Sequence, residues 1–84
     1  MKENLVSLLC INHLIARAID FWVHNVLEGY IIEFVVENHQ SFSKAKVIFK
    51  DGVSGKLIQE ISIWIKVFLA KEGIFPFEFV YMVA

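Results

Sequence analysis

The stretch YIIEFVVENHQSFSKAKVIFK, residues 30–50, contains the two segments that decide the fold. Residues 30–37 and 44–50 are rich in β-branched and aromatic side chains, and a polar turn separates them. This pattern is typical of two antiparallel strands. If Glu37 lies opposite Lys44, the acids of the first strand lie near the lysines of the second, whereas a shift of one residue would turn the lysines towards the core. The sequence therefore predicts a β-hairpin in this register.

The predicted register also assigns the strand residues to the two faces of the sheet, because successive side chains in a strand alternate. The face towards the core is expected to carry Ile32, Phe34, Val36, Ala45, Val47 and Phe49. The other face is expected to carry Ile31, Glu33, Val35, Glu37, Lys44, Lys46, Ile48 and Lys50.

The segment before the hairpin, residues 3–28, predicts a helix that ends at Gly29. Its polar side chains recur every three or four positions and so form one narrow stripe. The stripe consists of His13, Arg17, Asp20, His24 and Glu28. Such a helix would be about 39 Å long, whereas a strand of eight residues spans about 26 Å. Either the helix breaks near Asn12, or its first turns pack on a second chain.

The segment after the hairpin, residues 54–72, predicts a second helix, with Asp51 or Ser54 as its N-cap and Gly73 after its end. Its buried stripe is expected to consist of Leu57, Ile61, Trp64, Ile65 and Phe68. Ile63 and Val67 lie one turn apart on the opposite side, so we expect both to be exposed unless another molecule covers them.

Residues 75–83 predict a third strand, with Pro76 at its start or at a sheet edge because proline has no N–H to donate. Phe75, Phe77, Phe79 and Tyr81 would alternate onto one face of this strand. The predicted order is helix, strand, strand, helix, strand. This order indicates a single α+β domain over residues 1–84. Its three-stranded mixed sheet would have the first strand in the middle and both helices on one face.

The composition predicts an interaction surface. The chain has 84 residues, of which 57% are hydrophobic and only 20% are charged. A domain of this size has too little interior to hide so many apolar side chains, so the excess is expected to contact a second copy, most simply in a dimer, or a partner protein. The residues expected at this interface are Leu5, Leu8, Leu9, Ile63, Val67, Val80 and Met82.

The cysteine content favours a cytoplasmic protein, because the single Cys10 has no partner for an internal disulfide. The net charge is −1, so no overall field draws the chain to nucleic acid. Residues 1–18 imitate a signal peptide, but Glu3, Asn12 and His13 interrupt the pattern. No uncharged apolar run reaches the roughly 18 residues of a spanning helix. Docking on a membrane surface is disfavoured, because the polar stripe of the first helix is not basic.

The turn Gly52-Val53-Ser54-Gly55 allows two interpretations. Backbone N–H groups at a helix start can hold a phosphate, and several lysines are expected near this end of the sheet. The residues of this anion or RNA site would be Lys44, Lys46, Lys50, Gly52, Ser54, Gly55 and Lys56. The alternative is a plain bend between a strand and a helix, in which Gly supplies backbone freedom and Ser caps the helix. The bend is the preferred interpretation.

Enzymatic and metal-dependent functions have little support in the sequence. No serine has a patterned histidine and acid nearby, and Asp20 and His24 have the spacing of an ordinary ion pair on a helix. His13 and His24 would be about 16 Å apart along one helix, too far to share a metal. We therefore expect a protein that is not an enzyme and that needs neither a cofactor nor a metal.

Residues 29–80 resemble the N-terminal domain of the bacterial ribosome maturation factor RimP family. The similarity lies in Gly29-Tyr30 before the acidic strand IIEFVVE, in the turn KVIFKDG, in Ile61-Ser62 on the second helix, and in FPFEF. The chain departs from the family at residues 80–83, where Val-Tyr-Met-Val replaces Ser-Ser-Pro-Gly. The resemblance implies a helix-strand-strand-helix-strand domain with a role on the small ribosomal subunit or on RNA. Ribosome or RNA association is the alternative to a protein interaction module.

Overall fold

The structure is a computed structural model and describes residues 5–75 and 78–84. Four strands and two helices occur in it. In chain order they are β1 (Val6–Leu9), α1 (His13–Trp22), β2 (Ile31–Asn38), β3 (Ser43–Phe49), α2 (Gly55–Lys71) and β4 (Glu78–Val83). A π-helical segment, Val23–Leu27, continues α1 towards β2.

The strands form one mixed sheet in the order β1-β2-β3-β4. β1 is parallel to β2, β2 is antiparallel to β3, and β3 is parallel to β4. The α+β class is confirmed, but the predicted three-stranded sheet and the predicted element order are wrong. The first strand of the hairpin, β2, does not lie between the other two predicted strands. β1 occupies the outer edge of β2, and β4 pairs with β3 instead.

The first helix is shorter than predicted because residues 6–9 form β1. The chain reverses at Cys10, whose φ of 59° is in the left-handed region. α1 then starts after Asn12, whose Oδ1 accepts a hydrogen bond from the N–H of Leu14 at 2.8 Å. Of the two alternatives left by the length of the segment, the break near Asn12 is the one observed. The predicted stripe from His13 to Glu28 keeps its place on the outside of the helix.

The backbone of Cys10 suggests a stabilising substitution. A side chain disfavours the left-handed conformation, so Cys10→Gly should raise the free energy of unfolding by up to about 1 kcal/mol, less the extra entropy of glycine in the unfolded chain. Urea denaturation followed by circular dichroism measures the change. Ser7→Gly, inside β1, is the control and should lower stability. A loss of stability in Cys10→Gly as large as in the control would contradict the strained turn.

The hairpin register is confirmed, with Glu37 opposite Lys44 and Phe34 opposite Val47. One detail is wrong, because the pairing shifts between Ile31 and Glu33. This β-bulge turns Ile31 into the core, where it is fully buried, and leaves Ile32 44% exposed. The predicted faces of these two isoleucines are therefore exchanged, while those of the other core-facing residues hold.

Both helices pack on the same face of the sheet, and the core lies between the two layers. The ring of Trp22 in α1 stacks on that of Phe68 in α2, with centroids 4.3 Å apart and planes 6° from parallel. The buried apolar residues are Ile19, Val23, Leu27, Ile31, Phe34, Val36, Ala45, Val47, Phe49, Ile58, Ile61, Ile65, Leu69 and Ile74. The opposite face of the sheet, called the open face below, is not covered by either helix.

α2 begins and ends close to its predicted bounds. Ser54 is the N-cap, since its Oγ accepts a hydrogen bond from the N–H of Leu57 at 3.2 Å. Gly73, with φ of 83°, follows the end of the helix. The predicted buried stripe is partly wrong: Ile61 and Ile65 are buried as expected, but the full set of buried side chains is Ile58, Ile61, Ser62, Ile65 and Leu69. Trp64, expected in the core, is exposed.

Within the described residues, β4 runs from Glu78 to Val83. Pro76 and Phe77 lie outside the described residues, so the position of Pro76 at a strand start stays a prediction. Phe75 precedes the strand and is exposed. Phe79 and Tyr81 do share one face, since they lie opposite Ala45 and Val47 of β3.

Candidate functional site

The outer surface of the helix layer contains an apolar groove between α1 and α2. The stacked rings of Trp22 and Phe68 join the helices at its floor. Its volume is about 460 Å³, and its lining consists of Trp22, Val26, Trp64, Val67, Phe68 and Lys71. Five of these six residues are apolar, and Lys71 is the single charge. Such a surface suits an apolar side chain from another molecule, because large aromatic residues bury much area on contact.

A ridge of exposed side chains on α2 runs beside the groove. Ile63 and Val67 are 59% and 56% exposed, so the prediction that they face solvent is confirmed. The exposure of Ile63 and Val67 follows from helical spacing, since Ile61 and Ile65, on the opposite side of α2, are buried in the core. Within the described chain nothing covers this ridge.

The polar stripe of α1 forms a second, different surface. His24 lies between two carboxylates, with 3.5 Å from its Nε2 to Asp20 and 3.4 Å from its Nδ1 to Glu28. The predicted contact between Asp20 and His24 is therefore observed. A shallow hollow beside these residues is lined by Arg17, Ala18, Asp20, Phe21, His24 and Asn25. Alternating charges make this a solvated face.

β4 presents apolar side chains on both faces at an edge of the sheet. Val80 and Met82 lie opposite Lys46 and Ile48 and therefore share the open face. Tyr81 lies on the helix-facing side and is 51% exposed. Two of the predicted interface residues, Val80 and Met82, are thus brought together on one strand.

The predicted interface residues near the N-terminus lie elsewhere than expected. They belong to β1 and the residue before it, because this segment is not helical. Leu8 packs against the core, and the carbonyl of Leu5 accepts a hydrogen bond from the N–H of Phe34 at 2.8 Å. Only Leu9 is well exposed. β1 lies at one edge of the sheet and β4 at the other, so these leucines and Val80 do not form one surface.

The lysines predicted to bind an anion do not converge. Lys44, in β3, and Lys50, directly after β3, lie six residues apart, which corresponds to about 20 Å of extended chain. Lys44 is 3.8 Å from Glu78 and opposite Glu37, so acids surround it. Only Lys50 and Lys56 remain near the Gly52–Gly55 turn. The expectation that all the lysines lie near this end of the sheet is therefore wrong for Lys44.

The turn before α2 has a structural role in this geometry. Gly52 has a φ of 93°, a conformation that side chains disfavour. Ser54 occupies the cap and uses its hydroxyl to bind the N–H of Leu57. These observations account for Gly52 and Ser54 as parts of a bend between a strand and a helix. They leave binding of RNA or an anion here as an expectation from the sequence.

The described part of the chain contains neither a metal-binding cluster nor a membrane-spanning helix. No group of three His, Cys, Asp or Glu side chains within residues 5–75 and 78–84 could hold a metal ion. Neither described helix has the length and hydrophobicity needed to cross a bilayer.

The groove was not predicted from the sequence, because Trp64 and Phe68 were expected in the core and Trp22 was not singled out. A signal was present, since tryptophans are seldom buried completely and one occurs on each helix. Comparisons with protein-family models, curated proteins and solved structures found no match for this chain.

Proposed function

We propose that the protein is a small non-enzymatic interaction module that self-associates or docks on a partner protein through exposed apolar surface on its helices and on β4. The observation that carries the proposal is the groove between the helices, with the exposed Ile63 and Val67 beside it. Groove and ridge together offer a concave and a convex apolar surface on one side of the molecule.

The energetic argument rests on water contact. Apolar surface that leaves water contributes roughly 25 cal/mol per Å² before the entropic cost of association is subtracted, and soluble monomers seldom leave large apolar patches uncovered. Aromatic side chains in such patches are the residues that most often dominate binding. Trp22 and Trp64 are the aromatic residues in the groove that fit this description, while Lys71 at the margin supplies polarity.

Charging the ridge tests the proposal. The double variant Ile63→Lys with Val67→Glu introduces two charged side chains, each of which would have to lose its bound water in a complex, without changing the net charge. We expect its assembly state to fall relative to the wild type, with the fold retained, because both side chains point to solvent. Light scattering over a dilution series measures the mass, and circular dichroism checks the fold.

A matched control changes charge and apolarity away from the ridge. Leu14→Lys with Gln40→Glu alters one exposed residue on α1 and one in the hairpin loop. This control should keep the wild-type mass. An unchanged mass in the ridge variant would exclude this face, and a monomeric wild type at every concentration would exclude self-association and leave docking on a different protein.

RNA or ribosome association has less support. The lysines are spread along β3, and acids lie among them on the open face. A protein that binds phosphates would show affinity that falls steeply with salt. Failure to bind structured RNA at low salt would remove this alternative.

A further inference from the structure

The outer edge of β4 is the feature of the molecule that most directly invites another chain. β4 is the last strand of the sheet, and in residues 5–75 and 78–84 no strand pairs with its free side. An unpaired edge exposes backbone donors and acceptors that another strand can satisfy. An edge of this kind in a folded protein is normally blocked by charge, proline or a bulge.

None of these blocking features occurs within β4. Its sequence from Glu78 to Val83 is EFVYMV, with one acid at its start and neither lysine nor proline. The pairing with β3 runs in a regular register from end to end. Tyr81 and Met82, on opposite faces, are each about half exposed. The free edge is therefore both accessible and apolar.

We infer that two copies of the chain join through antiparallel pairing of β4 with the partner's β4, with Tyr81 at the two-fold axis, into one continuous eight-stranded sheet. This inference rests on the proposed function and names the partner as a second copy. Antiparallel pairing about a two-fold axis makes the contact self-complementary, since every contact between two different residues occurs twice.

The two symmetric registers that overlap most of β4 are centred on Val80 and on Tyr81. The two-fold axis is perpendicular to the sheet, so paired residues must lie on the same face, and one residue must lie opposite itself. Centring on Tyr81 places Val80 opposite the partner's Met82 and Phe79 opposite the partner's Val83. Centring on Val80 instead places Glu78 opposite the partner's Met82. The first choice pairs apolar residues with apolar residues, and so it is the one inferred.

The helices fit the same arrangement. α2 lies over β3 and β4, as shown by Lys66, whose Nζ is 5.0 Å from the centroid of the Phe79 ring. In the joined sheet the two copies of α2 would be separated by two strand spacings, about 10 Å. Packed helices are about 8–10 Å apart. The chain already contains this arrangement, because α1 and α2 meet through Trp22 and Phe68 over the antiparallel β2–β3 pair.

A hollow between α2 and β4 would receive the partner. Its volume is about 350 Å³, and its lining consists of Gln59, Ser62, Ile63, Lys66, Phe79 and Tyr81. Among the described residues, Ser62 has the only buried side-chain polar atom without a hydrogen-bond partner. The Tyr81 side chain of the partner subunit has an apolar ring and a terminal hydroxyl, so its ring would fill the hollow and its hydroxyl would be a hydrogen-bond partner for Ser62.

Cysteine cross-linking tests the inference directly. In a Cys10→Ser background, Tyr81→Cys gives each copy one thiol, and the two thiols face each other across the two-fold axis. Paired residues of this kind have Cβ atoms roughly 4.5–5.5 Å apart. We expect mild oxidation to give at least about ten times more disulfide-linked dimer than Phe21→Cys, a more exposed position on α1. Mass spectrometry and non-reducing gels measure the yield.

A second measurement covers the case in which loss of the Tyr81 ring weakens the dimer. Mixing Val80→Cys with Met82→Cys, which lie opposite each other in the inferred register, should give the mixed disulfide in preference to either self-linked product. Preferential self-linking of Val80→Cys would overturn the Tyr81 register. Yields equal to Phe21→Cys throughout would overturn the β4 dimer.

The two proposals fail in different ways. A wild type that is dimeric, loses mass with Ile63→Lys and Val67→Glu, and shows no β4 cross-linking would keep the interaction module and exclude the edge. A wild type that is monomeric over the whole dilution series excludes the β4 dimer, while docking on a different protein stays open to test.

Discussion

Replacing Phe34 with alanine should lower the free energy of unfolding by about 3–5 kcal/mol, the range for deletion of a buried phenylalanine. Phe34 is fully buried at the middle of β2, between Val6 of β1 and Val47 of β3. A small domain has only about 5–15 kcal/mol of stability. We therefore expect the urea midpoint, followed by circular dichroism, to fall by a large fraction of its wild-type value.

The matched control lies one residue further along the same strand. Val35→Ala removes apolar atoms from the open face, where no helix covers the sheet, and should cost less than about 1 kcal/mol. Equal losses in the two variants would mean that the helices do not cover the face that carries Phe34. The comparison thus measures which face of the sheet holds the core.

The second large effect is expected at the bulge. Ile31→Lys places an amine where the side chain is fully buried, and a buried charge without a partner costs several kcal/mol. We expect this variant to be unfolded or nearly so. Ile32→Lys, at the exposed neighbouring position, should keep the wild-type circular dichroism spectrum and lose less than about 1 kcal/mol.

This pair of variants distinguishes the observed register from an ideal one. A hairpin without the bulge would bury Ile32 and expose Ile31, so the two lysine variants would exchange their effects. Thermal unfolding of both proteins in the same buffer decides between the two registers. A folded Ile31→Lys protein beside an unfolded Ile32→Lys protein would contradict the bulge.

The hairpin was predictable because two independent patterns agree on its register. Alternation of apolar residues assigns Phe34 and Val47 to one face, and charge pairing places Glu37 opposite Lys44. α2 was predictable for a similar reason, since Ser54 and Gly73 mark its ends and Ile63 and Val67 repeat at helical spacing. Where patterns of capping, charge and periodicity coincide, the local sequence carries most of the structure.

β1 and the bulge were not predictable in the same way. A short apolar run such as residues 5–9 fits a strand and a buried helical turn equally well. The choice was made by a long-range contact, the free edge of β2, to which Leu5 and its neighbours bind. Ile31 and Ile32 are identical side chains, so no pattern of hydrophobicity can say which one a bulge turns inward.

The two candidate surfaces, the ridge and the groove, differ in the same way in how far the sequence could predict them. Exposure of Ile63 and Val67 depends on α2 alone, so the sequence could predict it. The groove depends on how closely α1 approaches α2, and that distance is set by the sheet beneath them. Trp64 was placed in the core because its helical position is next to the buried stripe, on the side where α1 turned out to lie.

The order of strands in the sheet has a consequence for how the chain folds. Among the strands of the described residues, only β2 and β3 are joined by a short loop, whereas each parallel pair is connected across a whole helix. Closing a short loop costs less chain entropy and is faster, so the hairpin is expected to form first and to act as the template for the outer strands. β4 would then join late, and partly folded molecules would spend time with an apolar strand unattached. The same residues inferred to join two native copies are, during folding, the ones most at risk of aggregation.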